Sequence, residues 1–262
     1  MKKIIILLFT AFAALVSAYA QKGYESKTFV SSDGQTLNYR ELTPLTVETD
    51  KKYPLVIFLH GAGERGNDNE KQLVHGGQMF LNPYNRDNYP AYVLFPQCPE
   101  TSFWAFPAFG KYAKQNPEGN ITPVLNAVKE LIDEYIATPA IDPARVYIIG
   151  LSMGGMGTFD MVSRFPEKFA AAVPICGAAS PGKISAAKDV RFRIYHGDAD
   201  PVVPVECSRA AYRELRDAGA DVEYYEFAGC GHPSWNPAFN TPDFMKWLFA
   251  QKKDCRKKRK NR

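Results

Sequence analysis

Apolar positions fall into two rhythms along this chain. Tyr24 to Val30 and Thr36 to Leu42 are β-rich stretches separated by Ser31-Ser32-Asp33-Gly34, the turn chemistry of an antiparallel hairpin at a sheet edge. Beyond them, Pro54 to Leu59, Tyr92 to Phe95, Arg145 to Ile149, Ala170 to Pro174, Phe192 to Tyr195 and Val222 to Phe227 are short apolar runs, several without polar alternation. Strands of that kind are buried on both faces and need helices to cover them. The gaps supply these: Val124 to Ala137 is apolar at Val124, Ala127, Val128, Leu131, Ile132 and Tyr135, and Met156 to Arg164, Val205 to Ala218 and Pro242 to Gln251 are helical in pattern. The alternation predicts an α/β protein with a mostly parallel, twisted sheet, an N-terminal antiparallel hairpin and helices on both faces. Ligands of such sheets bind beyond the carboxyl ends of the strands, so the residues just after each strand carry the interest.

Gly150-Leu151-Ser152-Met153-Gly154 follows the strand ending at Ile149 and precedes a helix, matching G-x-S-x-G in a strand, sharp turn, helix setting. The turn is strained, and side chains at Gly150 or Gly154 would collide with neighbouring backbone. It makes Ser152 a candidate nucleophile. A serine hydroxyl needs a histidine base, and the chain has four. His60 and His196 end strands directly before structured loops, and His75 lies in a loop without other catalytic signals. His232, in Gly229-Cys230-Gly231-His232 after the last strand, falls where the base belongs in the order Ser, acid, His. Between them, His196-Gly197-Asp198-Ala199-Asp200-Pro201 offers two acids. Asp200 sits further out in a turn stiffened by Pro201 and Pro204, whereas Asp198 is better placed to bond the backbone of that turn. Oxyanion donors are expected from the amide of Met153 and from His60-Gly61-Ala62-Gly63, with Ala62 as donor and Gly63 in reserve.

Gly61 to Gly66 also satisfies G-x-G-x-x-G, but no apolar helix opens after it and no acidic residue ends a strand at the distance a dinucleotide site requires. Glu64 and Arg65 read instead as braces of the loop, with Arg65 within reach of a substrate carboxylate. Aromatics gather in Phe103, Trp104, Phe106, Phe109 and Tyr112, with Trp235 and Phe239 past the candidate base. Trp235 and Trp104 are the substrate contacts expected among them, by stacking on sugar or phenolic rings.

Composition changes the picture at the two ends. Lys2 and Lys3, the apolar run Ile4 to Val16 and the small residues of Ser17-Ala18-Tyr19-Ala20 read as a secretory signal peptide over residues 1–20. The mature protein then starts near Gln21, exported to the periplasm or beyond, with no membrane span and one domain over residues 21–251. The net charge of +4 is made of +7 in residues 251–262 and −3 in all the rest. The basic tail, residues 252–262, reads as a solvated end rather than a nucleic-acid site. Five cysteines permit at most two disulfides, and without a CxxC they give no zinc signal.

Taken together, LHGAGERG, GLSMGGMGTFDM, HGDADPVVP and GCGHPSW resemble the serine carboxylesterases related to dienelactone hydrolases and polyhydroxybutyrate depolymerases, a group that includes feruloyl and acetyl-xylan esterases and proteins loosely called peptidases. The resemblance spans roughly Tyr53 to Leu248. It implies an α/β-hydrolase fold, with Ser152 as nucleophile, Asp200 as acid, His232 as base and the Ala62 and Met153 amides as oxyanion donors. It implies no metal and no organic cofactor. Where dienelactone hydrolases carry cysteine this chain has Ser152, which favours ordinary ester hydrolysis. Only about sixteen residues separate Pro174 from Arg191, too few for a cap domain, and an open site suits an acetyl or feruloyl ester on a polysaccharide fragment or similar bulky alcohol. A serine peptidase on the same triad and a non-catalytic carbohydrate-binding protein are the competing expectations.

Overall fold

The computed structural model describes residues 23–106 and 119–253. The expected leader, Phe109, Tyr112, Cys255 and the tail beyond residue 253 lie outside the described residues. Eight strands form one sheet: β1 (Glu25–Val30), β2 (Thr36–Leu42), β3 (Tyr53–Leu59), β4 (Tyr92–Pro96), β5 (Ile141–Leu151), β6 (Ala171–Ile175), β7 (Arg191–Gly197) and β8 (Val222–Phe227). Their order is β1-β2-β4-β3-β5-β6-β7-β8. β1 pairs antiparallel with β2 and β2 with β4, and the remaining pairings are parallel. This is the α/β-hydrolase fold with its antiparallel edge.

Among the described residues seven α-helices accompany the strands: α1 (Gly77–Leu81), α2 (Pro83–Asn88), α3 (Pro123–Ala137), α4 (Met153–Arg164), α5 (Val205–Asp217), α6 (Trp235–Phe239) and α7 (Phe244–Ala250). Strand periodicity of two decides what each covers. Leu55, Ile57, Leu59 and Ile148 pack on one face with Val128 and Leu131 of α3, Phe159 of α4 and Leu215 of α5. Val56, Phe58, Tyr147 and Ile149 pack on the other with Phe80 of α1 and Phe244 and Leu248 of α7. Every residue of β3 is buried, which is why the sequence shows no alternation there. Burying such an aliphatic or aromatic side chain contributes about 1.5–3 kcal/mol. α3 begins at Pro123, with the Thr122 hydroxyl accepting from the Leu125 amide at 3.2 Å.

β5 starts earlier than its apolar run. Its register against β3 jumps from Tyr53↔Ile141 to Leu55↔Val146, a bulge in which Asp142 accepts from the Ala144 amide at 3.0 Å and from Arg145 Nε at 2.8 Å. Chain order reverses between β3 and β5, so the loop after β3 and the turn after β5 emerge side by side at the switch point of the sheet. Between β6 and β7 the chain makes only the turn Ile184–Ala187. No helix among the described residues is long and apolar enough to cross a membrane.

Candidate active site

Ser152 stands between β5 and α4 with φ 53° and ψ −116°, a conformation rare for a residue with a side chain. Its neighbours impose it. A Cβ on Gly150 would lie 2.1 Å from the Gly154 carbonyl oxygen, and one on Gly154 would lie 1.9 Å from that of Leu59. The Ser152 amide donates to the Ile175 carbonyl at 2.8 Å, tying the turn to the end of β6. The hydroxyl is left half-buried at the start of α4, where the first amides have no partner within the helix. Met153 supplies the first of them.

His232 Nε2 lies 2.9 Å from Ser152 Oγ, and His232 Nδ1 lies 2.8 Å from Asp200 Oδ2. Three segments distant in sequence are thereby joined in one hydrogen-bond chain. The Asp200 side chain has no exposure, and Oδ1 accepts from the amides of Val202 at 2.8 Å and Val203 at 3.0 Å. Burial pushes this carboxyl up, but the hydrogen bonds from His232 and the two amides outweigh it and hold it below the usual carboxylate range. Asp200 is therefore the charged end of the chain. The second acid of the motif, Asp198, is exposed and accepts from the Gly229 amide at 2.6 Å, fastening the loop after β8 to the loop after β7.

An imidazole that donates a hydrogen bond from its Nδ1–H to a buried carboxylate presents a bare Nε2 to the hydroxyl and can take its proton as the oxygen attacks. Negative charge developing on an attacked carbonyl would fall near the start of α4 and the loop after β3. That loop runs close by: a Cβ on Gly61 would lie 2.9 Å from the Leu151 side chain, and the Leu59 and His60 carbonyls pack on Gly154. Ala62 is exposed at the head of the turn Ala62–Glu64.

The other expected contacts divide. Trp235 opens α6 and meets His232 edge-on, ring centroids 5.5 Å apart. Trp104 does not line the site. It is fully buried, packs against Gly157 of α4 and donates from its indole to the His60 carbonyl at 3.0 Å. Arg65, expected either to brace its loop or to meet a substrate carboxylate, does the first. It donates to the carbonyls of Ala62 at 3.0 Å and of Glu100 and Ser102 at 3.2 Å, with its guanidinium over the Phe103 ring.

His60 is buried, its Nε2 accepting from the Cys98 amide at 2.9 Å, so its Nδ1 carries the proton facing the Gly61 carbonyl at 2.6 Å. Burial pulls its pKa down to about 4. Two contacts escaped the sequence reading. His75 meets Trp235 at a tilt of 47°, ring centroids 5.1 Å apart, with its Nε2 3.7 Å from Glu64 Oε1, and His196 Nε2 lies 3.2 Å from Asp200 Oδ2. His196 is the penultimate residue of β7, four residues before Asp200, and a sequence does not show that both turn inward.

Cys176, Asp200 and His232 form the compact group of potential metal ligands among the described residues, their donor atoms within 4.8 Å of one another. These donors are already committed: Asp200 is bonded on both oxygens, and burial pushes the Cys176 thiol up to about 12. Cys98, Cys176, Cys207 and Cys230 are free thiols in the described structure.

An α/β sheet with a serine turn at its switch point and a histidine and carboxylate delivered from later loops defines a serine hydrolase of the α/β-hydrolase class. The chain belongs to the phospholipase/carboxylesterase family, which matches residues 44–243, and is a carboxylic ester hydrolase. It is 26% identical to carboxylesterase SOBER1 of Arabidopsis thaliana over 195 residues, covering 68% of this chain and 82% of that one. It is 21% identical to feruloyl esterase B of Thermothelomyces thermophilus over 270 residues, covering 87% of this chain and 86% of that one. Among solved structures, a thermostable esterase superposes with a TM-score of 0.83 at 37% identity, over 90% of this chain and 64% of the other.

Proposed function

We propose that the protein is an exported serine esterase that removes acetyl- or feruloyl-type acyl groups from plant polysaccharide fragments or comparably bulky alcohols. The hydrogen-bond chain Ser152–His232–Asp200, at 2.9 and 2.8 Å, carries this reading. Ser152 attacks the ester carbonyl while His232 takes its proton. The oxyanion accepts from the Met153 and Ala62 amides, and His232 returns the proton to the leaving alcohol. Water then attacks the acyl carbonyl by the same route, giving its proton to His232, and His232 returns that proton to Ser152 Oγ as the bond to the acyl group breaks and the acid departs.

Bulky substrates are favoured because the chain between β6 and β7 builds no cap over the site, and Trp235 offers an aromatic surface beside His232 for a phenolic or sugar ring. The likeness to feruloyl esterase B points the same way. Export rests on the leader pattern of residues 1–20. Hydrolysis of p-nitrophenyl acetate, p-nitrophenyl butyrate, methyl ferulate and a peptide anilide by the protein and by Ser152→Ala tests the reading. Ester turnover that prefers ferulate and vanishes in the variant is expected. Turnover of the anilide alone would replace the esterase with a peptidase.

A further inference from the structure

The Asp200 carboxylate sits between two imidazoles. His232 Nδ1 approaches Oδ2 at 2.8 Å and His196 Nε2 approaches the same oxygen at 3.2 Å, with neither the Asp200 nor the His196 side chain exposed. The proton on His196 is placed by elimination. Its Nε2 faces acceptors, the Val203 carbonyl at 3.0 Å and the Asp200 oxygen, so a bare Nε2 would set lone pair against lone pair. Its Nδ1 faces the Ser208 hydroxyl at 2.7 Å; that hydroxyl also reaches the Gly177 carbonyl, at a longer 3.2 Å, so its one proton goes to the nearer acceptor, Nδ1. Glu226, the register partner of His196 on β8, is engaged with Arg209 and Tyr224 instead. Burial favours the neutral ring. His196 therefore stands as the neutral Nε2–H tautomer, accepting from α5, with its one Nε2 proton between the Val203 carbonyl at 3.0 Å and the Asp200 oxygen at 3.2 Å.

We infer that His196 is a positioning residue for ester hydrolysis: its Nε2–H holds Asp200 Oδ2 where that oxygen can orient His232. This rests on the reading of Ser152, His232 and Asp200 as a working triad. The two amides of Val202 and Val203 pin Oδ1 alone, and rotation of the carboxylate would still carry Oδ2 away from His232. His196 grips that second oxygen as well. It is itself built into β7 and bonded through Ser208 to α5, so the orientation of the base is referred to the rigid sheet rather than to the loop that bears it.

The test compares His196→Asn with His196→Gln. A glutamine amide reaches the place of Nε2, whereas an asparagine amide reaches only that of Nδ1. His196→Asn is expected to lower kcat on p-nitrophenyl acetate about 10- to 100-fold, as a displaced catalytic group does, with KM held within about twofold. It should also move the low-field proton resonance of the His232–Asp200 bond. His196→Gln should recover most of both. Equal losses in the two variants with the resonance unmoved would mean a structural role only, and full activity in both would remove any role. Should His196→Asn not fold, nitrogen-15 spectra of the wild-type histidines decide. Nε2–H on His196 supports the assignment, and Nδ1–H overturns it. Ser152→Ala keeps the two readings apart: an active Ser152→Ala overturns the triad, whereas an inactive one beside equal His196 variants overturns only this assignment.

Discussion

The two halves of the site are held by different means. Ser152 is fixed by backbone against backbone: the turn after β5 is clamped between the end of β3 and the end of β6, and glycines are required because no space exists for a Cβ. Asp200 and His232 are fixed by hydrogen bonds on loops after β7 and β8, among them Val202 and Val203 on Asp200 and Gly229 on Asp198. The first arrangement tolerates no added volume, and the second tolerates volume but depends on each donor and acceptor being correct. Steric substitutions should therefore break the serine half through stability, whereas isosteric changes of hydrogen-bond character should break the acid and base half through rate.

The largest effect is expected from the smallest change in shape. Asp200→Asn keeps the outline of the side chain but turns an amide NH2 toward His232 Nδ1 and His196 Nε2, setting donor against donor and forcing the wrong tautomer on the base. Loss in kcat should be about 10⁴-fold, roughly 5.5 kcal/mol, with the thermal midpoint little changed. A wild-type rate in this variant would make the loop half indifferent to hydrogen-bond character. Gly154→Ala does the reverse. Its methyl would stand 1.9 Å from the Leu59 carbonyl oxygen, backbone that can move only with β3, and unfolding free energy measured in denaturant should fall by about 3 kcal/mol or more.

His60 sharpens the contrast because it directly follows β3, whose end clamps Gly154. Its pKa is pulled from 6.5 to about 4 by burial, so the unfolded chain binds the proton that the folded protein refuses. That contribution to stability is complete above pH 6.5 and is lost as pH falls to about 4, on the order of 3 kcal/mol across the window. Denaturant melts of the wild type and His60→Gln between these pH values should converge toward acid. Parallel curves would show that His60 is not the titrating group. The smallest effect belongs to Trp235→Ala, which should raise KM for methyl ferulate several-fold while leaving p-nitrophenyl acetate nearly unchanged, an aromatic contact contributing about 1 kcal/mol. Equal losses on both substrates would make Trp235 a support for His232 instead.

Most of the sheet was legible because buried parallel strands write continuous apolar runs, and the runs beginning at Pro54, Arg145 and Phe192 fall on β3, β5 and β7. What escaped was short or irregular. α1, α2 and α6 span 5, 6 and 5 residues, too few turns for a helical period to emerge. The start of β5 contains Asp142-Pro143, which reads as a turn, and becomes strand only through a bulge against β3. At the site, order along the chain and the ends of strands pointed to Ser152, Asp200 and His232, and the structure brings these three together. Trp104 shows the limit: a buried indole under a loop and an exposed one lining a site have the same sequence signature, and only packing separates them from each other. His196 shows another, since a histidine near the end of a strand does not reveal which neighbour its ring will face.

Covalent trapping tests the central claim most directly. The protein is treated with a fluorophosphonate ester, and the adduct is located by intact mass and peptide mapping while ester turnover is followed. A single adduct on the peptide bearing Ser152, formed in step with loss of turnover and absent from Ser152→Ala, is the expected result. An adduct on another residue, or full turnover after Ser152 has been labelled, would contradict the account.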